Sequence, residues 1–354
     1  MKKTIWIDIE NSPHVLFFKP IIKRLTQRDT KFIITGRDKS ETLELLKMNK
    51  IPYIGITEPF KYHGKNYVLK VIVTLLRAFK LFIKFFNYRR SICVAINHGS
   101  RSHILAAYFL GVPVIAFDDY EYSNISLYKK FVWKLFVPQY VPTNVLTKKG
   151  ISIEKIVKYP GFKEEVYAYS IFPDKQILKR LGINDDQVIV TLRPPAWNAH
   201  YYEDKENVLF KKVLNLLGQK LNVTVVLLPR GRGQYQILKK QLRKMDNFVI
   251  LPKPIDSISL LYCSDIVIGG GGTITREAAI MGTPVYSIFL GKRAAVDEEL
   301  RNEGRLKFIT AVSDLPDIKF AKRSKNYTGN YTYRNDLAEF ISRELEKIIK
   351  YSDK

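Results

Sequence analysis

The sequence is poor in cysteine and in acid. Only Cys93 and Cys263 occur among 354 residues. Both stand in apolar, strand-like surroundings, so they read as buried thiols in a reducing compartment and exclude a disulfide framework. Asp and Glu number 34 against 58 Lys and Arg, which leaves a net charge of +24. That excess favours polyanions: nucleic acid, an anionic membrane surface or phosphorylated substrates. No helix-turn-helix, zinc, RRM or KH pattern accompanies it, so no specific nucleic-acid partner is expected. No internal repeat is visible. The first ten residues carry acids and pass directly into a strand, which is not a signal-peptide pattern.

Residues 67–90 lack acid altogether. Apolar residues fill most of the stretch, and Lys70, Arg77, Lys80 and Lys84 fall on one helical face. The charges argue against a spanning helix. The expectation is a basic amphipathic helix lying on an anionic membrane surface, the alternative being a domain helix with a solvated basic stripe. A second aromatic and basic run in residues 120–140, containing YKKFVWKLF, is expected to extend the same surface. The expected location is cytoplasmic, with peripheral attachment to the inner face of the membrane if this surface is used.

The chain is organised around residues 264–287, SDIVIGGGGTITREAAIMGTPVYS. A buried strand at 266–268 runs into Gly269, Gly270, Gly271 and Gly272, and a helix opens near Thr273. Glycines at a strand-to-helix turn let backbone approach a ligand closely, and the helix start offers N–H groups and a positive dipole end to a phosphate. Glu277, one turn into the helix, is placed to accept a hydrogen bond from a hydroxyl of the same ligand. A tight turn without a ligand is the alternative. The spacing is neither a dinucleotide fingerprint nor a P-loop.

Upstream, the chain alternates strand and helix. Strands are expected at 5–9, 31–36, 52–56 and 91–97, with helices at 15–25, 39–48 and 102–110. A further strand pair is expected at 140–147. This is the βαβ rhythm of a parallel, doubly wound sheet, whose ligands meet the C-terminal ends of strands. At such ends stand His14, His98, Ser100, Asp118, Asp119 and Glu121. His14 or Asp118 suits a general base, the alternatives being a packing histidine and a helix-capping acid. No third ligand at a clear spacing supports a metal site there. In the second half, Arg193 ends a strand and suits a forked pairing with a diphosphate, and Arg230 stands in Pro-Arg-Gly-Arg-Gly at another strand end. Trp197, His200 and Tyr201 follow Arg193 as further candidates. Gly291-Lys292-Arg293 and Val296-Asp297-Glu298-Glu299 form another candidate ligand edge, and residues 335–350 read as a closing amphipathic helix.

The glycine segment resembles the C-terminal-domain signature of GT-B glycosyltransferases and of UDP-N-acetylglucosamine 2-epimerases. The run D-x-x-N-S-P-H-x-x-F-F-K-P, Asp8 to Pro20, resembles a prokaryotic family of GT-B-like proteins known only as a domain of unknown function. It is also similar to the first loop of the peptidoglycan N-acetylglucosaminyltransferase. The resemblance implies an α/β, GT-B-like fold with two Rossmann-like domains whose parallel sheets face a central cleft. The expected domains are an acceptor-side domain at 1–160, a nucleotide-sugar domain at 175–333 and a closing helix at 334–354. By the same resemblance Gly270, Gly271, Gly272 and Thr273 hold a diphosphate and Glu277 holds the ribose. The epimerases carry a catalytic acid where this chain has Ser100, which weakens that reading.

The expected activity is a metal-independent glycosyl transfer from a nucleotide-linked sugar, UDP-linked by the resemblance, to a glycan or lipid-linked acceptor such as a cell-envelope polysaccharide. The nucleotide-sugar is a substrate, and no cofactor is expected. A nucleotide-sugar 2-epimerase and a non-catalytic nucleotide or polyanion binder are the alternatives.

Overall fold

The computed structural model describes residues 4–28, 30–38, 41–57, 67–196, 204–323 and 336–351, with the side chains of 67, 204–207 and 351 left aside. The chain divides into two compact units. One contains Met1–Tyr167, Ala294–Val296 and Arg334–Lys354, and the other Ala168–Arg293 and Asp297–Tyr333.

The first unit is built on β1 (Thr4–Ile9), β2 (Lys31–Gly36), β3 (Ile54–Gly55), β4 (Ile92–His98), β5 (Val114–Phe117), β6 (Lys134–Pro138) and β7 (Ile156–Tyr159). They form one sheet in the order β3-β2-β1-β4-β5-β6-β7, with every pairing parallel. Helices cover a parallel sheet on both faces, which is why β1 is apolar in nearly continuous run and buried from Ile5 to Ile9. The strand order reverses between β1 and β4, the place where a doubly wound sheet leaves a crevice at its strand ends.

The second unit repeats this plan with β8 (Val188–Arg193), β9 (Val223–Leu227), β10 (Phe248–Ile250), β11 (Ile266–Gly269), β12 (Val285–Ser287) and β13 (Lys307–Phe308). The order is β10-β9-β8-β11-β12-β13, again all parallel. Its reversal lies between β8 and β11, beside the glycine run.

The closing helix is Leu337–Tyr351. It packs on helix Pro13–Thr26 and so belongs to the first unit. Leu337, Ile341, Leu345 and Ile349 recur every fourth residue and are buried. Arg28 pairs with Glu339 at 2.6 Å and Glu346 at 3.0 Å along its rim.

Three local expectations are corrected. The strand pair at 140–147 is instead the helix Thr143–Lys148, flanked by β6 and β7. Pro142 stands at its N-cap, and Gly150, at φ +84°, closes it. The YKKFVWKLF run does not form a surface helix. It divides into a single turn, Tyr128–Phe131, and the interior strand β6, whose Leu135, Phe136 and Val137 are buried.

The third correction concerns helix Tyr67–Phe85. Its bases do not make one solvated face. Arg77 is completely buried, together with Val73, Leu81 and Phe85. The outward side instead carries Val68, Ile72, Leu75, Phe79 and Ile83. A helix apolar on most sides has no strong periodicity to choose its buried face. Here Asp8, a carboxylate inside the central strand, decides the matter by requiring a cation.

Candidate functional site

In the first unit the site is assembled from the ends of β1, β4 and β5. Asp8 is paired in register with Thr35 of β2 and Asn97 of β4. Arg77 grips its carboxylate from both sides, Nη1 to Oδ2 at 2.9 Å and Nη2 to Oδ1 at 2.8 Å. The Ser100 hydroxyl donates to Oδ2 at 2.6 Å and the Thr35 hydroxyl to Oδ1 at 2.6 Å. Arg77 also donates to the Ser102 hydroxyl at 2.6 Å and to the Ile56 carbonyl at 3.1 Å. Burial alone would raise the Asp8 pKa, but the Arg77 charge and these hydrogen bonds outweigh it and hold the acid below the usual carboxylate range. His103, beside them, is pushed down to about 4, chiefly by burial. Ser100 is therefore locked into a buried ionic network.

His14 opens helix Pro13–Thr26, where Pro13 fits the first helical turn. Its ring stacks on that of His98, the last residue of β4, with centroids 4.3 Å apart. His98 Nε2 lies 3.4 Å from Asp119 Oδ1. Asp119 Oδ2 accepts from Lys163 at 2.7 Å, and Lys163 lies 3.4 Å from Glu164. All five side chains are buried. The Asp119 carboxylate thus lies beside the His98 imidazole, and His14 packs against the face of that ring.

Asp118 points elsewhere. Its Oδ1 accepts from the Tyr120 N–H at 3.0 Å, and its Oδ2 from the hydroxyls of Ser123 at 2.8 Å and Tyr128 at 3.0 Å. Burial and then the neighbouring Asp119 charge raise its pKa to about 6 despite these bonds. The Tyr128 hydroxyl is raised well above its ordinary value, by burial and then by Asp118. Asp118 thus organises the segment that follows β5. A folded-state pKa near 6 against the ordinary 3.8 means that the native state binds this proton more tightly than the unfolded chain. Stability from this group falls as pH rises from about 4 to about 6, and the penalty is full above that. Asp118→Asn is expected to raise stability by up to about 3 kcal/mol at neutral pH, because Ser123 and Tyr128 can turn to accept from the amide. Thermal melts at about pH 4.5 and about pH 7.5 check this, the gain appearing only at the higher pH. A variant less stable than wild type at the higher pH would contradict it.

In the second unit the ends of β8, β9 and β11 converge. The Gly270 N–H donates to the Arg193 carbonyl at 3.0 Å. A Cβ on Gly270 would lie 2.5 Å from Pro195 Cα, so a neighbouring strand end, not only a ligand, requires this glycine. Gly271 packs comparably against Phe289. Gly272, at φ +91°, is the N-cap of helix Thr273–Ile280, and a Cβ there would meet nothing within 4 Å. Gly272 is exposed and Thr273 half-buried, so the helix start opens outward.

Arg230 lies across this loop, donating from Nε to the Pro194 carbonyl at 2.9 Å and from Nη2 to the Gly271 carbonyl at 3.3 Å. Arg193 directs Nη1 at the carbonyls of Leu228 and Pro229, both at 2.9 Å, tying β8 to β9. Glu277 is buried, and the Ser257 hydroxyl approaches its Oε2 at 3.5 Å. Asp297 is not turned to a ligand edge. It forms a buried two-point pair with Arg276, at 2.6 and 3.0 Å. Trp197, His200 and Tyr201 lie outside the described residues.

The structure thus brings Arg230, Gly270, Gly271, Gly272 and Thr273 together, with Arg193 underneath. His14 gathers with His98 and Asp119, apart from the Asp118 hydrogen bonds. Sequence reasoning missed Lys163 and the Asp8–Arg77 pair. A basic residue in an otherwise apolar helix and an acid inside a β-branched strand were the signals for the latter. Among the described residues, no group of three or more His, Cys, Asp or Glu is arranged to hold a metal ion.

A family model described as "Protein of unknown function (DUF354)" matches residues 3–347. An uncharacterized protein of Methanocaldococcus jannaschii is 28% identical over 318 residues, covering 88% of this chain and 89% of that protein. Among solved structures, UDP-GlcNAc 2-epimerase from Neisseria meningitidis bound to UDP-GlcNAc superposes with a TM-score of 0.71 at 15% identity, over 97% of this chain and 100% of that one. The UDP-GlcNAc 2-epimerase of Methanocaldococcus jannaschii, in complex with UDP-GlcNAc and UDP, gives 0.67 at 17% identity, over 97% and 99%. An Anabaena protein in complex with UDP and glucose gives 0.64 at 15% identity, over 99% and 100%. At these identities the likeness is one of fold, and it is the α/β, GT-B-like fold expected from the sequence.

Proposed function

We propose, from the premise that the chain belongs to this DUF354 family of unknown function, that the protein is a nucleotide-sugar enzyme, and specifically a glycosyltransferase. The observation that carries the first part is the outward-opening helix start at Gly272 and Thr273, crossed by Arg230, at the reversal point of a parallel sheet. A helix N-terminus with an adjacent guanidinium neutralises the charge that grows on a departing diphosphate. Glu277 holds the ribose. His14 is the base that takes the proton from an acceptor hydroxyl as the sugar moves to that oxygen and the nucleoside diphosphate leaves.

Transfer is favoured over 2-epimerisation by the state of Ser100. The position where the epimerases carry an acid holds a hydroxyl bonded to Asp8 at 2.6 Å and fully buried. It has no free carboxylate with which to exchange a proton at a sugar carbon. The UDP ligands of the structural relatives make uracil the first base to test.

The test is a thermal-shift panel of UDP, GDP, CDP, dTDP and ADP on wild type and Glu277→Gln. A ligand at about a hundred times its Kd stabilises by about 2.7 kcal/mol. One diphosphate, UDP, is expected to shift the wild type and to shift the variant much less. No shift with any of them would overturn the nucleotide reading. Conversion of UDP-N-acetylglucosamine to its 2-epimer without acceptor would overturn transfer in favour of epimerisation.

A further inference from the structure

The outward face of helix Tyr67–Phe85 is inverted relative to an ordinary surface helix. Phe79 is 60% exposed and Ile83 58%, and Val68, Ile72 and Leu75 lie on the same side. Their spacing of three and four residues makes one continuous row. From Val68 to Ile83 it runs about 22 Å at 1.5 Å per residue. Arg77, the helix's one arginine, is turned inward to Asp8. Nothing in the sugar-transfer reading uses this row.

Its electrostatic setting selects the occupant. No acidic residue occurs between Glu58 and Asp118 in the sequence. Lys80, Lys84 and Arg90 are exposed along and just beyond the helix, and Arg89 lies over the Phe86 ring at 4.1 Å. A second copy of the same face would bring these like charges together, which disfavours self-association. An apolar row on a helix whose charged residues are all cations matches the boundary between the headgroups and acyl chains of an anionic bilayer. No helix among the described residues is long and apolar enough to cross a membrane, so the contact is one of lying on the surface.

We infer that this helix docks the protein onto an anionic membrane surface, with Leu75, Phe79 and Ile83 entering the interface and Lys80, Lys84 and Arg90 meeting the headgroups. The inference stands independently of the sugar-transfer reading.

The experiment is co-sedimentation with vesicles of phosphatidylcholine alone and of phosphatidylcholine with phosphatidylglycerol. The full chain, Phe79→Ser/Ile83→Ser and Lys84→Gln/Arg90→Gln are compared. All four positions are exposed, so the variants should fold, and thermal melts confirm it. Binding is expected only with the anionic vesicles. The apolar pair of substitutions should lower the partition coefficient at least about tenfold, and the charge pair about tenfold at low salt with little effect at high salt. Failure of the wild type to bind anionic vesicles would overturn the inference. Equal binding by the Phe79→Ser/Ile83→Ser variant would also overturn it, since attraction would then come from net charge elsewhere. A wild-type dimer that these substitutions convert to monomer, without vesicle binding, would assign the face to a second copy instead.

Discussion

Replacing Arg77 by methionine is expected to destabilise the protein by about 3–5 kcal/mol, read from urea denaturation near neutral pH. The change leaves the Asp8 carboxylate buried in the central strand without the cation that holds it at 2.8 and 2.9 Å. The hydroxyls of Thr35 and Ser100 remain but do not neutralise it. The pH dependence should change sign. In the wild type the depressed Asp8 pKa contributes stability that is present above the ordinary value of 3.8 and is lost as pH falls below it. In the variant burial dominates and raises the pKa, so stability falls as pH rises through the carboxylate range. Adding Asp8→Asn to the Arg77 variant removes the buried charge and should recover most of the loss. A single variant less than about 1 kcal/mol below wild type would mean that water or local rearrangement solvates Asp8.

His14→Ala is expected to lower kcat/KM for sugar transfer by about 10²–10⁴-fold, the range for removing a general base. The diphosphate thermal shift should be unchanged, because His14 is not among the residues proposed to hold the nucleotide. His14 stacks on His98, so a purely structural role is tested alongside by His14→Phe, which keeps an aromatic ring against that imidazole. If the phenylalanine variant restores turnover, His14 packs and does not accept the proton. If His14→Ala instead abolishes the nucleotide shift, His14 serves nucleotide binding and not the acceptor proton.

The membrane and nucleotide experiments divide the molecule's surface between them. Loss of vesicle binding by the Phe79 and Ile83 substitutions with an unchanged UDP shift would establish two independent surfaces. A reaction on a lipid-linked acceptor would use both, the first to hold the protein at the bilayer and the second to supply the activated sugar.

Much of the architecture is local and was therefore legible. Runs such as IWIDI and KFIITG are β-branched and bounded by polar turns. They become β1 and β2, the latter with the expected limits. The glycine run and helix start at 269–273 were equally plain, because backbone freedom and helix polarity belong to a few consecutive residues. The alternation of strand and helix determined a parallel α/β sheet twice over.

Direction and partnership belonged to the tertiary structure. The sequence of residues 67–85 set a helix but not its inward face, because apolar residues occupied most sides. Asp8, 69 residues away from Arg77, settled it by the cost of an unpaired buried charge. The Lys163–Asp119 contact spans 44 residues, and nothing near either position announces the other. Arg193 turned to the carbonyls of Leu228 and Pro229, a choice set by the adjacency of β8 and β9. Short-range chemistry determined which elements form. Which side chains meet was decided by the packing of those elements, where each buried charge and hydrogen-bonding group must find its partner across the chain.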